Sequence, residues 1–434
     1  MIDGYRFVHA ADLHLDTPFA GLGQIAPHLQ TRLSDASLEA WDNLVELTIH
    51  QNAAFLLLAG DLYDGAQRGV RAQLRLHSGL ERLSGKGIQT FIVHGNHDPV
   101  EGWSAINDIR NWPPGVTIFA ARTVDAVPVR QGETTLAMVH GMSYPERYVT
   151  ENLALRYQRG TEPVLHIGLL HCNVGSNSNH ANYSPCSIDN LKHAGMDYWA
   201  LGHVHARKIL SHYPDWIVYP GNLQGRSHKP SETGPKGALV IEVKGATIQP
   251  PRFIPLDRVR FELGNFDISG VTDLPTLRKE LSQWGQSKLA EHGDRLLLLR
   301  AVLLGCGEVQ RTLARSGVPG ELLQYLREEQ QNNESRLWWD TIEDHTRSPL
   351  DRAALRLRDD FYGMLVQQAE KLLLDAESTD SFVTRSMDEI ASLLDKERLK
   401  EFMTADTEPS ESSAALLEEA LAMALDRFYQ ELAT

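Results

Sequence analysis

The chain has 434 residues, 42% of them apolar and 23% charged, which is typical of globular proteins with two or three domains. No stretch approaches the roughly 18 consecutive apolar residues of a membrane span, and the first residues lack a signal peptide's basic start and cleavage site. Three cysteines without C-x-x-C spacing indicate reduced thiols, so a cytoplasmic protein without a membrane segment is expected. The net charge of −15 comes mainly from residues 251–434, whose balance is −12.

Short apolar runs in the first 205 residues indicate buried strands, and five of them end in polar residues. In chain order these polar clusters are Asp12-Leu13-His14, Asp61-Leu62-Tyr63-Asp64, Asn96-His97-Asp98, His171 and His203-Val204-His205. Helices are predicted near Ser34–Gln51 and Val70–Leu83, and strands dominate from Leu136 to Val243. Because ligands gather where strands end at one edge of a sheet, we expect the five clusters to meet.

The residue types in these clusters predict a site for two metal ions. Carboxylate, amide and imidazole groups suit divalent manganese, iron or zinc, and the lack of cysteine argues against a closed structural zinc site. Asp61 is the best candidate to bridge two ions about 3.5–4 Å apart, which would bind a phosphodiester and generate hydroxide from water. We expect His97 to protonate the leaving alkoxide, with Asp98 fixing its tautomer and raising its pKa. His140, at a neighbouring strand end, is expected to support the ligands from behind.

The order D-x-H, G-D-x-x-D, G-N-H-D, H, G-H-x-H resembles that of the calcineurin-like metallophosphoesterases. Further segments narrow the resemblance to the bacterial DNA-repair exonuclease branch, with its SbcD- and YhaO-like proteins: His9–Asp16, His171–Val174, Asp197–His205 and Tyr219–Arg226. The resemblance implies that one ion is held by Asp12, His14, Asp61 and His205, and Mn²⁺ is the expected metal, with iron or zinc as alternatives. It implies that a second ion is held by Asp61, Asn96, His171 and His203, and that His97 is the catalytic histidine. Relatives carry a functional histidine where this chain has Asp64, so Asp64 is expected only to support the ligands.

The same resemblance implies an α/β fold with a four-layer α-β-β-α core over residues 1–250. An α+β capping domain is expected at 251–345 and a helical C-terminal region at 346–434. Within the cap the sequence predicts a helix near Leu274–Glu291, a strand at Leu296–Leu304 and a helix near Glu321–Gln331. Trp338 and Trp339 are expected to pack in a core in preference to stacking on unpaired bases.

Near the end of the chain, a polar linker at Thr404–Ser413 precedes an acidic helix with one apolar stripe. The stripe consists of Leu417, Leu421, Ala424, Phe428 and Leu432. It is predicted either to pack on its own domain or to dock on a partner as a helix in a groove. The resemblance implies a partner, since related nucleases use C-terminal helices to hold the coiled coil of an SMC-type, SbcC-like ABC ATPase. A homodimer is also left open.

Three functions are compatible with this pattern. The first is a DNA exonuclease or endonuclease, for which Arg207, Arg226 and His228 beside the last ligands are candidates to contact the phosphate backbone. A solvated surface with scattered cations explains each of these residues equally well. The second is a small-molecule phosphodiesterase or phosphatase acting on cyclic nucleotides or phosphomonoesters with the same metals. The third is a scaffold with a degenerate site, which the intact ligand set argues against. The 180-odd residues after the core favour DNA cleavage.

Overall fold

The computed structural model describes residues 4–19, 27–65, 69–100, 112–175, 183–330, 335–347, 352–393 and 412–432. The chain divides into two compact units. Unit 1 comprises Met1–Leu263, Gly285–Arg300 and Glu329–Asp340, and unit 2 comprises Gly264–Trp284, Ala301–Glu328 and Thr341–Thr434. The domain boundaries expected near residues 250 and 345 stay predictions.

The first sheet of unit 1 has seven strands, and its centre is built from alternating strands and helices. Four neighbouring strands are parallel: β1 (Tyr5–Ala10), β2 (Phe55–Ala59), β3 (Gln89–Val93) and β4 (Val116–Ile118). Three strands extend the sheet beyond β1 with antiparallel pairing: β13 (Gly237–Lys244), β14 (Thr247–Ile248) and β15 (Arg252–Pro255). The two connecting helices are α1 (Pro27–His50) and α2 (Val70–Gly85).

The second sheet of unit 1 has six strands in the order β11-β12-β10-β7-β6-β5. Their bounds are β5 (Asp125–Gln131), β6 (Thr134–Gly141), β7 (Leu165–His171), β10 (Tyr198–Gly202), β11 (Lys208–Ser211) and β12 (Trp216–Tyr219). Strands β6, β7, β10 and β12 are parallel. Smaller elements complete this part of the chain: a 3-10 helix (Leu153–Arg156), the short strands β8 (Asn173–Val174) and β9 (Pro185–Cys186), and α3 (Ile188–His193).

Apolar cores separate the layers of unit 1. Between the two sheets, Phe7 and Phe55 of the first sheet and Tyr198 of the second belong to one buried cluster, because alternate residues of a strand face the same side. The opposite face of the first sheet packs on α1 and α2, where Trp41 fills the notch left by Gly79. The outer face of the second sheet packs on α3 and the 3-10 helix. The four-layer α-β-β-α fold expected from the sequence is thus confirmed.

A three-stranded sheet follows along the chain, in the order β16-β17-β18. The strands are β16 (Val259–Asp267), β17 (Leu296–Leu304) and β18 (Leu337–Asp344), and the associated helices are α4 (Leu274–Ala290), α5 (Gln310–Leu313) and α6 (Val318–Glu329). Trp338 is 7% exposed and Trp339 is fully buried, so both pack in the protein core as expected. Stacking of these tryptophans on bases is ruled out by their burial.

The C-terminal region of unit 2 is helical. Its helices are α7 (Arg352–Arg356), α8 (Phe361–Leu373), α9 (Ala376–Leu393) and α10 (Ser413–Leu432). Leu417 and Leu421 of the predicted stripe are buried, and Phe428 packs edge-to-face on Phe361 and Tyr362 of α8. Leu417, Leu421 and Phe428 therefore pack within unit 2. Most of the predicted linker lies outside the described residues. Within the described part of the chain, no helix is long and apolar enough to cross a membrane.

Candidate metal centre

The polar clusters follow the carboxyl ends of parallel strands, where the chain turns sharply. Asp12, His14, Asp61 and His203 have φ angles of 51°, 42°, 52° and 100°, in the left-handed region that costs a non-glycine residue about 1–3 kcal/mol. Backbone hydrogen bonds between the loops hold two of these turns, since the N–H of Asp12 donates to the oxygen of Gly60 and the N–H of His14 donates to the oxygen of Asp61. This strained backbone directs the side chains toward one point.

The carboxylate of Asp61 lies between two groups of candidate ligands. Its Oδ2 is 3.3 Å from Nε2 of His171 and 4.0 Å from Nε2 of His14, while its Oδ1 accepts a hydrogen bond from the backbone N–H of His97. Among the described residues, four groups of donor atoms lie close enough to hold one ion, and two of these groups fall within the two predicted ligand sets: Asp12, His14 and His205, and Asp61, His171 and His203. Asn96 joins the second group, because its Oδ1 is 3.0 Å from His171 and 3.2 Å from His203.

The outward ring nitrogens of three of these histidines face acceptors. Nδ1 of His14 faces Asp64 at 2.7 Å, Nδ1 of His171 faces the oxygen of Ala59 at 2.9 Å, and Nδ1 of His205 faces Glu232. A histidine that donates from one nitrogen presents a lone pair on the other, which is the usual support of a metal-binding imidazole. The Nε2 atoms of His14 and His205 lie only 3.2 Å apart and have no proton to share in this tautomer. The donor set therefore fits a divalent cation.

Two glycines leave the space that the buried ligands need. A Cβ at Gly60, whose φ is 92°, would lie 2.5 Å from Nδ1 of His171. A Cβ at Gly202 would collide with the oxygen of Ala59, the atom that accepts from His171. Larger residues at either position would displace the His171 ring, so the glycines in the G-D and G-H motifs are required by close packing.

The structure corrects the predicted partner of His97. Nδ1 of His97 lies 2.7 Å from Asp64, and no contact between His97 and the Asp98 side chain occurs among the described residues. Asp98 is fully buried and accepts hydrogen bonds from the backbone N–H groups of Gly95 and Leu62. Adjacent side chains at a turn point in different directions, so Asp98 joins the two loops through their backbone and does not face His97. Asp64 instead has the contact with His97 that was predicted for Asp98.

Asp64 thus connects a candidate metal ligand with the candidate acid. The same oxygen, Oδ1, contacts both His14 and His97, and Oδ2 accepts from Arg226 at 2.9 Å. Burial opposes the charge on Asp64, but the hydrogen bonds from His14 and His97 hold the pKa of Asp64 well below its usual range. Burial likewise opposes protonation of His97, yet the hydrogen bond to Asp64 and the charge of Asp61 raise the pKa of His97 above that of a free histidine.

Burial and the neighbouring carboxylate also have opposite effects on the pKa of His171, which makes metal binding sensitive to pH. Burial opposes protonation of His171, but the charge and hydrogen bond of Asp61 raise the pKa of His171 to about 9. An imidazole binds a metal only in its neutral form, so an ion entering this site must displace the proton of His171.

The roles predicted for His228 and His140 require correction. The side chain of His228 is only 5% exposed, with its ring nitrogens near Asp340 (3.3 Å) and the backbone oxygen of Leu298 (3.2 Å), so it is not available to a substrate. His140 pairs with His166 at 2.8 Å behind the second sheet, and not with a ligand. The two corrections have different causes: His140 lies on β6, where alternate side chains face away from the space between the sheets, whereas His228 lies in an irregular loop between β12 and β13.

The two predicted arginines are held by the protein itself. Arg226 forms its ion pair with Asp64, and the guanidinium of Arg207 lies 4.2 Å above the ring of Phe253. Contact of either residue with a phosphate stays a prediction. Lys208, which immediately follows Arg207, is exposed and lines the cleft over the candidate ligands.

The cleft has a volume of about 280 Å³ and is lined by members of both ligand groups, His205 of the first and Asp61 and His203 of the second. Asp61, Asn96, His97 and His203 form part of its wall, together with residues that the motifs did not identify: Tyr183, Lys208 and Ser231. Sequence reasoning also missed Glu232, the partner of His205. Glu232 lies 27 residues beyond that ligand in an irregular loop, so no motif or periodicity marks it.

Comparison with known proteins agrees with this geometry. Residues 5–207 match the calcineurin-like phosphoesterase family, and residues 261–347 match the middle domain of the metallophosphoesterase YhaO. The uncharacterized metallophosphoesterase YhaO of Bacillus subtilis is 33% identical over 372 residues, covering 86% of this chain and 88% of its own. The chain belongs to the calcineurin-like metallophosphoesterases. Within them it falls in the SbcD- and YhaO-like branch.

More distant relatives of this metallophosphoesterase include a named repair protein. The DNA double-strand break repair protein Mre11 of Sulfurisphaera tokodaii is 25% identical over 245 residues, which cover 55% of this chain and 60% of that protein. A solved dimetal phosphatase from Danio rerio covers 56% of this chain and 93% of its own at 11% identity. Its TM-score of 0.34 is too low to support a structural argument.

The contact between Asp64 and His97 predicts a shift in the pH profile of phosphodiester cleavage. An acid catalyst works in its protonated form, so activity is lost as pH rises through the pKa of His97. Asp64→Asn keeps the side chain's shape and removes the charge that raises this pKa. We expect the alkaline limb of kcat to move to lower pH by roughly 1–3 units. The exposed carboxylate Asp125 offers the matched control Asp125→Asn, and a limb that stays in place in Asp64→Asn would contradict the assignment.

Proposed function

We propose that this metallophosphoesterase is a two-metal-dependent phosphodiesterase that cleaves DNA, as an exonuclease or endonuclease in repair. The observation that supports it best is the pair of ligand groups on either side of Asp61, with His97 at the edge of the same cleft. Of the described residues, these are the ones that place phosphate-binding chemistry and a proton donor in one open cleft.

The metal ligands we propose are those predicted from the sequence: Asp12, His14, Asp61, Asn96, His171, His203 and His205. We propose that the two divalent ions held there are Mn²⁺. They would stabilise the negative charge of the phosphodiester oxygens and lower the pKa of bound water, so that hydroxide is present near neutral pH. Asp12 is oriented by the backbone N–H of His203, which donates to its carboxylate at 3.0 Å. Asp61 is oriented by the N–H of His97.

His97 is the residue we assign to the leaving group. Its side chain is 35% exposed, while Nδ1 is held by Asp64, so Nε2 is the nitrogen left to face a substrate. Proton donation to the departing 3′ or 5′ oxygen then requires no movement of the ring. Asp64 keeps the imidazole protonated and oriented, and Arg226 in turn fixes Asp64 from its other oxygen.

DNA is preferred over a small phosphodiester on three grounds. The relatives include a protein named for DNA double-strand break repair. Lys208 presents an exposed cation at the cleft, where a phosphate backbone would pass. The chain also continues for more than 180 residues beyond the core, with a segment that matches the middle domain of YhaO. A cytoplasmic location is part of the same proposal.

The test compares DNA with small diesters. End-labelled single- and double-stranded DNA, a cyclic nucleotide and bis-p-nitrophenyl phosphate are each incubated with Mn²⁺ and the unsubstituted protein. We expect DNA to be cleaved, and His97→Ala to lower kcat on DNA by about 10²–10⁴-fold, the usual value of a general acid. Nitrophenolate leaves readily without a proton, so the loss on the nitrophenyl diester should be much smaller.

The exposed His193→Ala on α3 is the matched control and should retain full activity. The loss in His97→Ala purified in the same way excludes a contaminating nuclease. Equal losses of His97→Ala on both substrates would contradict its role as the acid. Hydrolysis of the small diesters with DNA left intact would contradict DNA cleavage and favour the small-molecule phosphodiesterase.

The proposed partner is an SMC-type, SbcC-like ATPase bound through the C-terminal helices. The stripe on α10 is used within unit 2, so a partner would need other apolar side chains. Leu357 is 87% exposed, and Phe361 and Met364 on α8 are 55% and 57% exposed. Phe361 and Met364 are three residues apart and so lie near one face of α8, while Leu357 precedes its N-cap, Asp360, and we propose these exposed side chains as the contacts to a coiled coil.

This partner surface is tested by size-exclusion chromatography with the coiled-coil segment of the ATPase. Leu357→Ser with Met364→Ser should abolish the joint peak while leaving cleavage of bis-p-nitrophenyl phosphate unchanged, because neither residue belongs to the cleft. Leu374→Ser, at a similarly exposed leucine (89%), serves as the control. Unchanged co-elution of the double variant would contradict this surface.

A further inference from the structure

Three aromatic rings form a continuous row that begins at a candidate metal ligand and ends in solvent. Tyr183 meets the His203 ring edge-to-face, with centroids 5.5 Å apart and planes at 76°. Tyr148 lies over Tyr183 with centroids 6.0 Å apart and planes at 28°. The guanidinium of Arg147 lies 5.7 Å from the centre of the Tyr148 ring. Tyr183 lines the cleft, and Tyr148 is 67% exposed.

The backbone fixes this row in place. The N–H of Ser184 donates to the oxygen of Val149 at 2.6 Å, which joins the residues that follow each tyrosine. The backbone carbonyl oxygen of Tyr183 accepts a hydrogen bond from the backbone N–H of Asn173 at 3.0 Å, next to the end of β7. Val149 is buried in the core behind the second sheet, so Tyr148 is exposed on an anchored segment.

An exposed tyrosine alone has no functional meaning, since much of a protein surface is apolar. Tyr148 differs from the other exposed aromatic residues in its position. It follows β6 at the edge of the sheet where the ligands lie, and its ring continues the wall of the cleft outward. Arg147 adds a positive charge beside the ring, where a phosphate of a bound strand would find a counter-ion.

We propose that Tyr148 and Tyr183 are a stacking subsite for an unpaired nucleotide base next to the scissile phosphate. Aromatic side chains bind single-stranded nucleic acid in this way whatever the base, because every base has a flat π face. A base inside an intact duplex cannot reach the rings without being unpaired. The subsite therefore selects single-stranded DNA or frayed ends as the substrate, and it rests on the proposed function as a DNA phosphodiesterase.

The test measures KM and kcat on a single-stranded oligonucleotide and on the same strand with abasic sites along its length. Tyr148→Ala should raise KM on the normal strand about tenfold, equivalent to about 1.4 kcal/mol, with kcat within about twofold of the unsubstituted protein. On the abasic strand the variant and the unsubstituted protein should have the same KM. Tyr148→Phe keeps the ring and should behave as the unsubstituted protein on both strands.

Tyr213 supplies the matched control, because it is also 67% exposed and follows β11, which runs away from the ligand edge. Tyr213→Ala should leave KM unchanged on both strands. A KM of Tyr148→Ala that is unchanged, or that rises equally on the abasic strand, would overturn the subsite while DNA cleavage stands. If the unsubstituted protein cleaves neither strand, the proposed DNA phosphodiesterase fails and the subsite fails with it.

Discussion

The buried carboxylate of Asp61 is the group on which the site depends. Asp61 and Asp12 are each only 1% exposed and raise each other's cost of ionisation, and burial of an unpaired carboxylate costs several kcal/mol. Nearby imidazoles outweigh this cost at Asp61: burial opposes the charge, but His171 and His14 hold the pKa of Asp61 below its usual range. A cation on each side of Asp61 would neutralise the same charges and release those imidazoles to act as ligands.

The surrounding structure serves to hold this charge cluster away from water. Acceptors on Asp64, Glu232 and the backbone of Ala59 fix the outward nitrogens of the candidate ligands. Left-handed turns at the strand ends bring the inward atoms together, and Gly60 and Gly202 leave room for the His171 ring. Asp64 extends the arrangement to His97, so that the orientation of a ligand and that of the proposed acid are linked through one oxygen.

Apolar runs with polar ends were sufficient to predict the buried strands and the meeting of the motifs, whereas the four layers were predicted from the resemblance to the metallophosphoesterases. The sequence was insufficient wherever a role depends on the direction of a side chain. Asp98 adjoins His97 in the chain but turns inward to the backbone of Leu62, and His228 turns into the sheet. Glu232 reaches His205 from a loop without any motif. Tertiary contacts of this kind cannot be read from the local spacing of residues. The apolar stripe on α10 could be recognised from its spacing, but the residues of α8 on which it packs could not.

The most direct test of the account is the anomalous scattering of crystals grown with Mn²⁺ and measured above the manganese edge. Two metal ions bridged by Asp61 should give two peaks about 3.5–4 Å apart, one on each side of its carboxylate. The first peak should be contacted by His14 and His205, and the second by Asn96 and His171. A single peak, or two peaks that do not share Asp61, would contradict the two-metal centre and with it the proposed chemistry.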